Sequence, residues 1–552
     1  MENIQSMVIP RKIVRMVLWF SKLVSCLAIH ASILTLASTD VADVVDLGYA
    51  KYAGNFTSPH SVAYLGLPYA EPPIGDRRFR APLPLNTTRL RLQTGGRIVD
   101  ATSYPDFCVQ GTTGGGDAGG AGSEDCLKVN VYTPRGAKKG DKLPVLVYIH
   151  GGGYVFGNPQ NWPFEHWINQ SPHVVIVSVY YRLDSFGFLS HPTFASDPSL
   201  GDLNAGFLDQ TEALRWVQKH ISAFGGDPER VTINGESAGG SSIELHLVVP
   251  NNDGLFHGAI AQSVYRTPVP TPDQQEPLFS HYANEAGCGS GSLAAQVACL
   301  RNASISALAR AQDSAFNGLY NAFHPVLDGK IISELPTVSI LNGRFRQVPL
   351  LVGATSNETL SSGTISSALK SFFPALSDND LAEFAQEYPL SAFSSSDEQL
   401  RAATGESELR CAREIMAGAF SKVTNAFAYR YNQANPTSSS PAVDHAAENW
   451  MMFRGTNTGP NGSTTFTPMT PTQEAFAEEL IAYWLSFVRS FNPNTFKLLR
   501  SPIWPSYHAN SPARIVLQEG SASSSGSHVE AEPQAELARC AFVVSKVKAE
   551  QN

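Results

Sequence analysis

The sequence predicts an α/β fold: a large, mostly parallel central sheet covered by helices on both faces. Three observations predict it. Residues 143–149 and 174–180 are continuous apolar runs of strand length, the pattern of strands buried on both faces. From Asp209 to Phe224 apolar residues recur at helical spacing, with Leu214, Val217 and Ile221 on one face. A further strand-like run at 230–233 follows and leads into a small-residue helix start at 238–242. Strands and helices alternating in this way argue for a parallel sheet with helices packed against it.

The remaining elements follow in order. Residues 62–69 form a short strand that runs into the proline-rich surface loop Pro72-Pro73. The glycine cluster between Cys108 and Cys126 reads as a flexible loop, since no Lys-Ser/Thr or helix start follows to make it a phosphate cradle. Gly225-Gly226-Asp227-Pro228 stops the helix that begins at Asp209. Short strands are expected at 259–263, 348–353 and 426–431, with a loop-rich helical insertion containing Cys288 and Cys299 between the first two. An amphipathic helix is expected from Gln473 to Arg489, and the serine-rich stretch 521–527 reads as a mobile loop. There is no internal repeat.

Composition narrows the function. The chain has 552 residues, and a hydrophobic content of 43% supports a sizeable core. A net charge of -9, without any basic block interleaved with aromatics, argues against a nucleic-acid partner. Arg11, Lys12 and Arg15 precede an apolar stretch from Met16 to Ala37 that ends in small residues, the form of a secretory signal peptide. An uncleaved membrane anchor is the alternative, which Lys22 within the stretch disfavours; no membrane insertion is expected once the signal is removed. The polar C-terminus argues against a GPI tail. Beyond Cys26 in the leader, six cysteines remain: Cys108, Cys126, Cys288, Cys299, Cys411 and Cys540. An even number in an oxidising compartment suggests disulfides, though spacing alone leaves the pairing open. None has C-x-x-C spacing, so no metal site and no cofactor is expected. Sequons at Asn55, Asn86, Asn302, Asn357 and Asn461 fit an exported glycoprotein.

The chemistry centres on Gly235-Glu236-Ser237-Ala238-Gly239. G-x-S-x-G between a strand and a helix is the nucleophile elbow of α/β-hydrolases, a turn that exposes a serine Oγ. A serine hydroxyl needs a positioned base, and the base needs an orienting carboxylate. In this fold the chain order is Ser, Asp/Glu, His. Glu358 follows a strand, where sites assemble in parallel sheets; Asp328 is its rival, although Asp328-Gly329 reads more simply as a turn. Of the 14 histidines, His445 lies downstream of Glu358 in a loop after a strand, whereas His150 is placed to shape the adjacent glycine run. Gly151-Gly152-Gly153 at a strand end offers backbone donors from Gly152 and Gly153, which together with Ala238 would form an oxyanion hole.

These motifs resemble the type-B carboxylesterase/lipase family, which includes cholinesterases and secreted fungal lipases. The resemblance is carried by residues 64–73 with Arg78-Phe79, by Ser123-Glu124-Asp125-Cys126-Leu127, and by His150-Gly151-Gly152-Gly153. Tyr181-Arg182, Gly187-Phe188-Leu189, Leu208-Asp209-Gln210, Phe224-Gly225-Gly226-Asp227-Pro228 and the elbow complete it, over about residues 45 to 542. It implies Ser237 as nucleophile, Glu358 as acid and His445 as base, the last through His445-x-x-Glu448, with Glu236 and Glu448 as supporting carboxylates. It implies disulfides Cys108–Cys126, Cys288–Cys299 and Cys411–Cys540, and structural ion pairs Arg78–Glu124 and Arg182–Asp209. The chain departs from the family in having Asn357 before the acid. The Cys108–Cys126 segment lacks the amphipathic lid of related lipases and the tryptophan with which cholinesterases hold quaternary ammonium groups. The reading is a signal peptide at 1–38 and a single α/β-hydrolase domain with helical insertions at 39–552. The expected protein is a secreted serine carboxylic-ester hydrolase acting on a small-molecule ester. The alternatives are a lipase for long-chain acylglycerol or sterol esters and a non-catalytic adhesion protein on the same fold.

Overall fold

The apolar runs become the middle of a thirteen-stranded sheet. The computed structural model describes residues 43–111, 122–314, 323–458 and 464–552. The expected signal peptide, the glycine cluster at 114–120, the segment 316–322 and the Asn461 sequon lie outside these residues. In chain order the strands are β1 (Val44–Asp46), β2 (Lys51–Ser58), β3 (Ser61–Pro68), β4 (Ile98–Ala101), β5 (Lys128–Pro134), β6 (Leu143–Ile149) and β7 (Val175–Val179). There follow β8 (Gly226–Glu236), β9 (Gly258–Gln262), β10 (Leu350–Thr355), β11 (Ala426–Tyr431), β12 (Ala513–Leu517) and β13 (His528–Ala531). Their spatial order is β1-β2-β3-β5-β7-β6-β8-β9-β10-β11-β12-β13, with β4 on β2.

Every neighbouring pair from β7 across to β12 is parallel. The flank from β1 through β2, β3 and β5 to β7 is antiparallel, as is the β12–β13 edge. One cause is visible in the chain: only Pro59 and His60 join β2 to β3, too few residues for a parallel crossover. Side chains alternate between two cores. Along β6, Val145, Val147 and Ile149 enter one, while Leu146 and Tyr148 enter the other. Burial on both faces is why these strands read as unbroken apolar runs.

Helices α1 (Ala205–His220) and α2 (Ala238–Val248) cover the first face, supplying Leu214, Val217, Ile243 and Leu245. On the second lie α3 (Ala447–Met452) and α4 (Pro471–Ser490), with Trp450, Phe476, Leu480 and Trp484. Helix α1 begins four residues before the expected Asp209. Ala205, Gly206 and Phe207 are all buried, so its first turn shows no amphipathic period, and Gly206 is pressed against the Arg182 carbonyl. Between β9 and β10 lies the helical insertion, beginning with Pro272–Glu285 and Leu293–Asn302.

Among the described residues three disulfides form, Cys108–Cys126, Cys288–Cys299 and Cys411–Cys540. Arg78 pairs with Glu124 at 2.6 Å and Arg182 with Asp209 at 2.7 Å. Asp328 is a turn residue: its Oδ1 accepts the N–H groups of Lys330, Ile331 and Ile332. The serine-rich stretch joins β12 to β13 and is tied to α4 where Ser525 donates to Glu479 at 2.7 Å. The described residues belong to one compact unit, Ala42–Asn552, and no helix among them is long and apolar enough to cross a membrane.

Candidate active site

The sequence-predicted residues meet at the carboxyl ends of the parallel strands. The glycine run follows β6, Ser237 follows β8, Glu358 lies three residues beyond β10, and His445 is in the long connection after β11. Ser237 is held at φ 59° and ψ -124°, backbone angles costly for a residue with a Cβ. Its N–H donates to Gln262 O at 3.0 Å and its carbonyl accepts from Ser241 N–H at 3.0 Å, so both neighbouring elements hold the strained turn. The close approach of α2 to β6 demands glycine: a Cβ on Gly239 would stand 2.1 Å from Ile149 O.

His445 Nε2 lies 2.8 Å from Ser237 Oγ, and its Nδ1 lies 3.4 Å from Glu358 Oε1. With Nδ1 protonated toward the carboxylate, Nε2 accepts the serine hydroxyl. Glu358 is fully buried, and Ser263 Oγ donates to the same Oε1. Glu236 Oε1 stands 3.5 Å from His445 Nε2, while Asn449 donates to Glu236 Oε2 at 3.2 Å. Glu448 shares no hydrogen bond with the imidazole; Gln262 Nε2 is 3.5 Å from its Oε1.

Three buried carboxylates around one imidazole set the electrostatics. Burial alone would push His445 down, but the charges of Glu236 and Glu358, with Glu448 behind them, outweigh it and hold the imidazolium up at about 9. Burial, reinforced by Glu236 and Glu358, pushes the Glu448 carboxyl up to about 8. Burial raises Glu236 as well. Burial of the carboxyl groups and their charge beside the imidazole therefore pull in opposite directions on where the shared proton rests.

Gly152 has φ 104° and Gly153 φ 62°. The Gly152 carbonyl accepts Val155 and Phe156 N–H in a tight turn, and a Cβ on Gly152 would stand 2.1 Å from Phe156 O. The N–H groups of Gly152, Gly153 and Ala238 meet no backbone acceptor among the described residues. Ala238 opens α2, whose N-terminal end favours negative charge. His150 is buried, stacked on Tyr181 with ring centroids 4.6 Å apart, and burial pushes it down to about 4, so it supports the turn as a neutral ring.

A cavity of about 390 Å³ opens on Ser237 and His445, walled by Phe156, Trp162, Tyr265, Leu360 and Phe372. From the sequence, pocket walls are expected in the regions 316–324 and 372–393, and Phe372 opens the second of these. The other four were missed, and so were Ser263 and Asn449. A strand-end position was the one signal that could have found Ser263. A larger cavity, about 590 Å³, lies beyond the C-terminal end of α2 and contains none of these groups.

A serine on a strand–helix turn at the centre of this sheet, facing a histidine and a buried carboxylate, defines an α/β-hydrolase. The carboxylesterase family matches residues 44–537, and the chain belongs to that family. The acylcarnitine hydrolase of Mus musculus is 31% identical over 481 residues, 80% of this chain and 81% of that protein. The cocaine esterase of Homo sapiens is 35% identical over 306 residues, 53% of this chain and 52% of that one. The crystal structure of Aspergillus niger EstA superposes with a TM-score of 0.82 at 30% identity, covering 93% of this chain and 100% of that one. The protein is a carboxylic-ester hydrolase.

Proposed function

We propose that the protein is a secreted serine esterase that works through a Ser237–His445–Glu358 triad and an acyl-enzyme. The observation that carries the reading is the relay from Ser237 Oγ to His445 Nε2 at 2.8 Å and from Nδ1 to Glu358 Oε1 at 3.4 Å. Neutral His445 takes the Ser237 proton as Oγ attacks the ester carbonyl carbon. Glu358 holds the ring and stabilises the imidazolium. The carbonyl oxygen, now negative, is held by the N–H groups of Gly152, Gly153 and Ala238. Collapse of the tetrahedral centre expels the alcohol, which takes the proton from His445 Nε2. Water then repeats the sequence on the acyl-enzyme, releasing the acid and restoring Ser237. Asn449 fixes Glu236 beside the ring, where its charge favours the imidazolium that forms in each step.

The walls support an apolar substrate of modest size: they carry aromatic and aliphatic groups, and among the described residues that line them Glu236 is the one charged side chain besides His445. Three disulfides and the leader-like segment 1–38 support export through an oxidising compartment. The test is hydrolysis of p-nitrophenyl esters of increasing acyl length by wild type and Ser237→Ala. Turnover of short acyl chains, reduced by about 10⁴-fold or more in the variant, is expected. A maximum on long, emulsified chains would replace the esterase reading by the lipase one. Full activity in Ser237→Ala would remove the triad.

A further inference from the structure

Glu358 sits in the loop 356–360 beyond β10, and this loop is gripped from two sides. On one side Val443, two residues before His445, exchanges bonds with Asn357: Asn357 N–H donates to Val443 O at 3.0 Å and Val443 N–H to Asn357 Oδ1 at 3.1 Å. On the other side stands the helical stretch from Ser396 to Phe420, which carries one turn of π-helix at Glu406–Arg410. Arg410 Nη1 donates to Ser356 O at 2.9 Å, before the acid. After the acid, Thr359 Oγ1 lies 2.7 Å from Thr404 Oγ1, and Leu360 N–H donates to Glu408 Oε2 at 2.8 Å. Gly405 packs directly on the acid's own backbone: a Cβ there would stand 1.8 Å from Glu358 O.

The π-helical turn also reaches the substrate wall. Its carbonyls at Ser407 and Glu408 accept from the Arg266 side chain and backbone, and Arg266 follows Tyr265 of the cavity wall. Single π-helical turns within α-helices recur at functional sites because they redirect groups that a regular helix would keep to itself. Glu408 is fully buried, and the groups that favour its charged form by hydrogen bonding, the Leu360 N–H and the Ser361 side chain, both belong to the stretch just after the acid. A buried carboxyl is costly where packing alone is needed. Burial pushes this one up to about 7.

We infer that Glu408 is a positioning residue for Glu358, holding the exit of the acid loop through the Leu360 N–H. The inference rests on the triad reading above. Its action is indirect: Glu408 fixes Leu360, the loop fixes the Glu358 carboxylate, and the carboxylate orients His445.

The test compares Glu408→Ala, Glu408→Gln, Glu358→Gln and the double variant Glu358→Gln/Glu408→Ala. It reads kcat and KM on a short p-nitrophenyl ester and the thermal midpoint of each protein. Glu408→Ala is expected to lower kcat about tenfold, because small displacements of a catalytic group are costly in rate. Glu408→Gln keeps an acceptor for Leu360 N–H and is expected to restore kcat to within about twofold of wild type. In the Glu358→Gln background, Glu408→Ala is expected to add less than about twofold, since the group it positions is already lost. Unchanged kcat in Glu408→Ala, or the same tenfold loss with and without Glu358, would overturn the inference while leaving the triad intact. Wild-type kcat in Glu358→Gln would overturn the acid assignment itself and the inference with it. Should Glu408→Ala not fold, Glu408→Met fills the same space without offering the Leu360 N–H a carboxylate acceptor. It is expected to lose about tenfold in kcat, again only when Glu358 is present; wild-type kcat there would equally overturn the inference.

Discussion

Glu236→Gln tests the electrostatics of the site. The carboxylate oxygen lies 3.5 Å from His445 Nε2; Glu236 is buried and His445 is 16% exposed, on the side of the cavity. At an effective dielectric constant of about 20, a full charge pair at that separation is worth roughly 5 kcal/mol, an upper bound of about 3.5 pKa units. Glu236 is itself pushed toward neutrality by burial, and Glu358 and Glu448 remain, so a fall of about 1–2 units is expected. The sign follows from the role of the imidazole. His445 must be neutral to accept the serine proton, and in the free enzyme it is held up at about 9, so kcat/KM climbs with pH through the alkaline range. Glu236→Gln moves that climbing limb to lower pH. Its plateau falls as well, because the imidazolium formed in the transition state loses the same charge. The amide keeps an oxygen for Asn449, so the local geometry survives. The assay is kcat/KM for a short p-nitrophenyl ester from pH 5 to 10, corrected for spontaneous hydrolysis, on both proteins. A limb that stays in place, or moves upward, would refute the reasoning.

Gly152→Ala places a Cβ against Phe156 O at a backbone angle that alanine rarely adopts; kcat should fall by about 10²–10³-fold with KM little changed, measured on the same ester. Asp209→Asn leaves the buried Arg182 guanidinium without its charge partner; unfolding in urea should show a loss of about 3–5 kcal/mol, with kcat per folded molecule unchanged.

The parts of the site that share a few consecutive residues were legible in the sequence. Gly235, Gly239, Gly151 and Gly152 each carry their reason locally, because the close approach of neighbouring backbone at those points leaves no room for a Cβ. The buried strands were legible for the same kind of reason, since two-sided burial writes an uninterrupted apolar run. The acid was harder. Glu358 and Asp328 both follow apolar segments, and the difference lies in what surrounds them: Asp328 closes a turn on three N–H groups, whereas Glu358 is buried beside a histidine 87 positions away. Asn449 was invisible because a single polar residue on a short helix carries no pattern, and Ser263 offered nothing beyond its place at a strand end. The start of α1 was missed because its first turn is buried all round, which erases the helical period.

The chemistry and the fit of the substrate are written on different parts of the chain. Ser237, the glycine turn and Ser263 ride on strand ends whose register is shared with the whole sheet, so none of them can shift without disturbing many neighbours. Phe156 and Leu360 belong to connecting loops, and Phe372 ends the short helix Ile365–Phe372 of an insertion. Exchanging those side chains alters which acyl and alcohol groups are accepted while the proton relay stays as it is. A lineage built on this scaffold can diversify its diet of esters one loop at a time, and the reaction itself need not be reinvented.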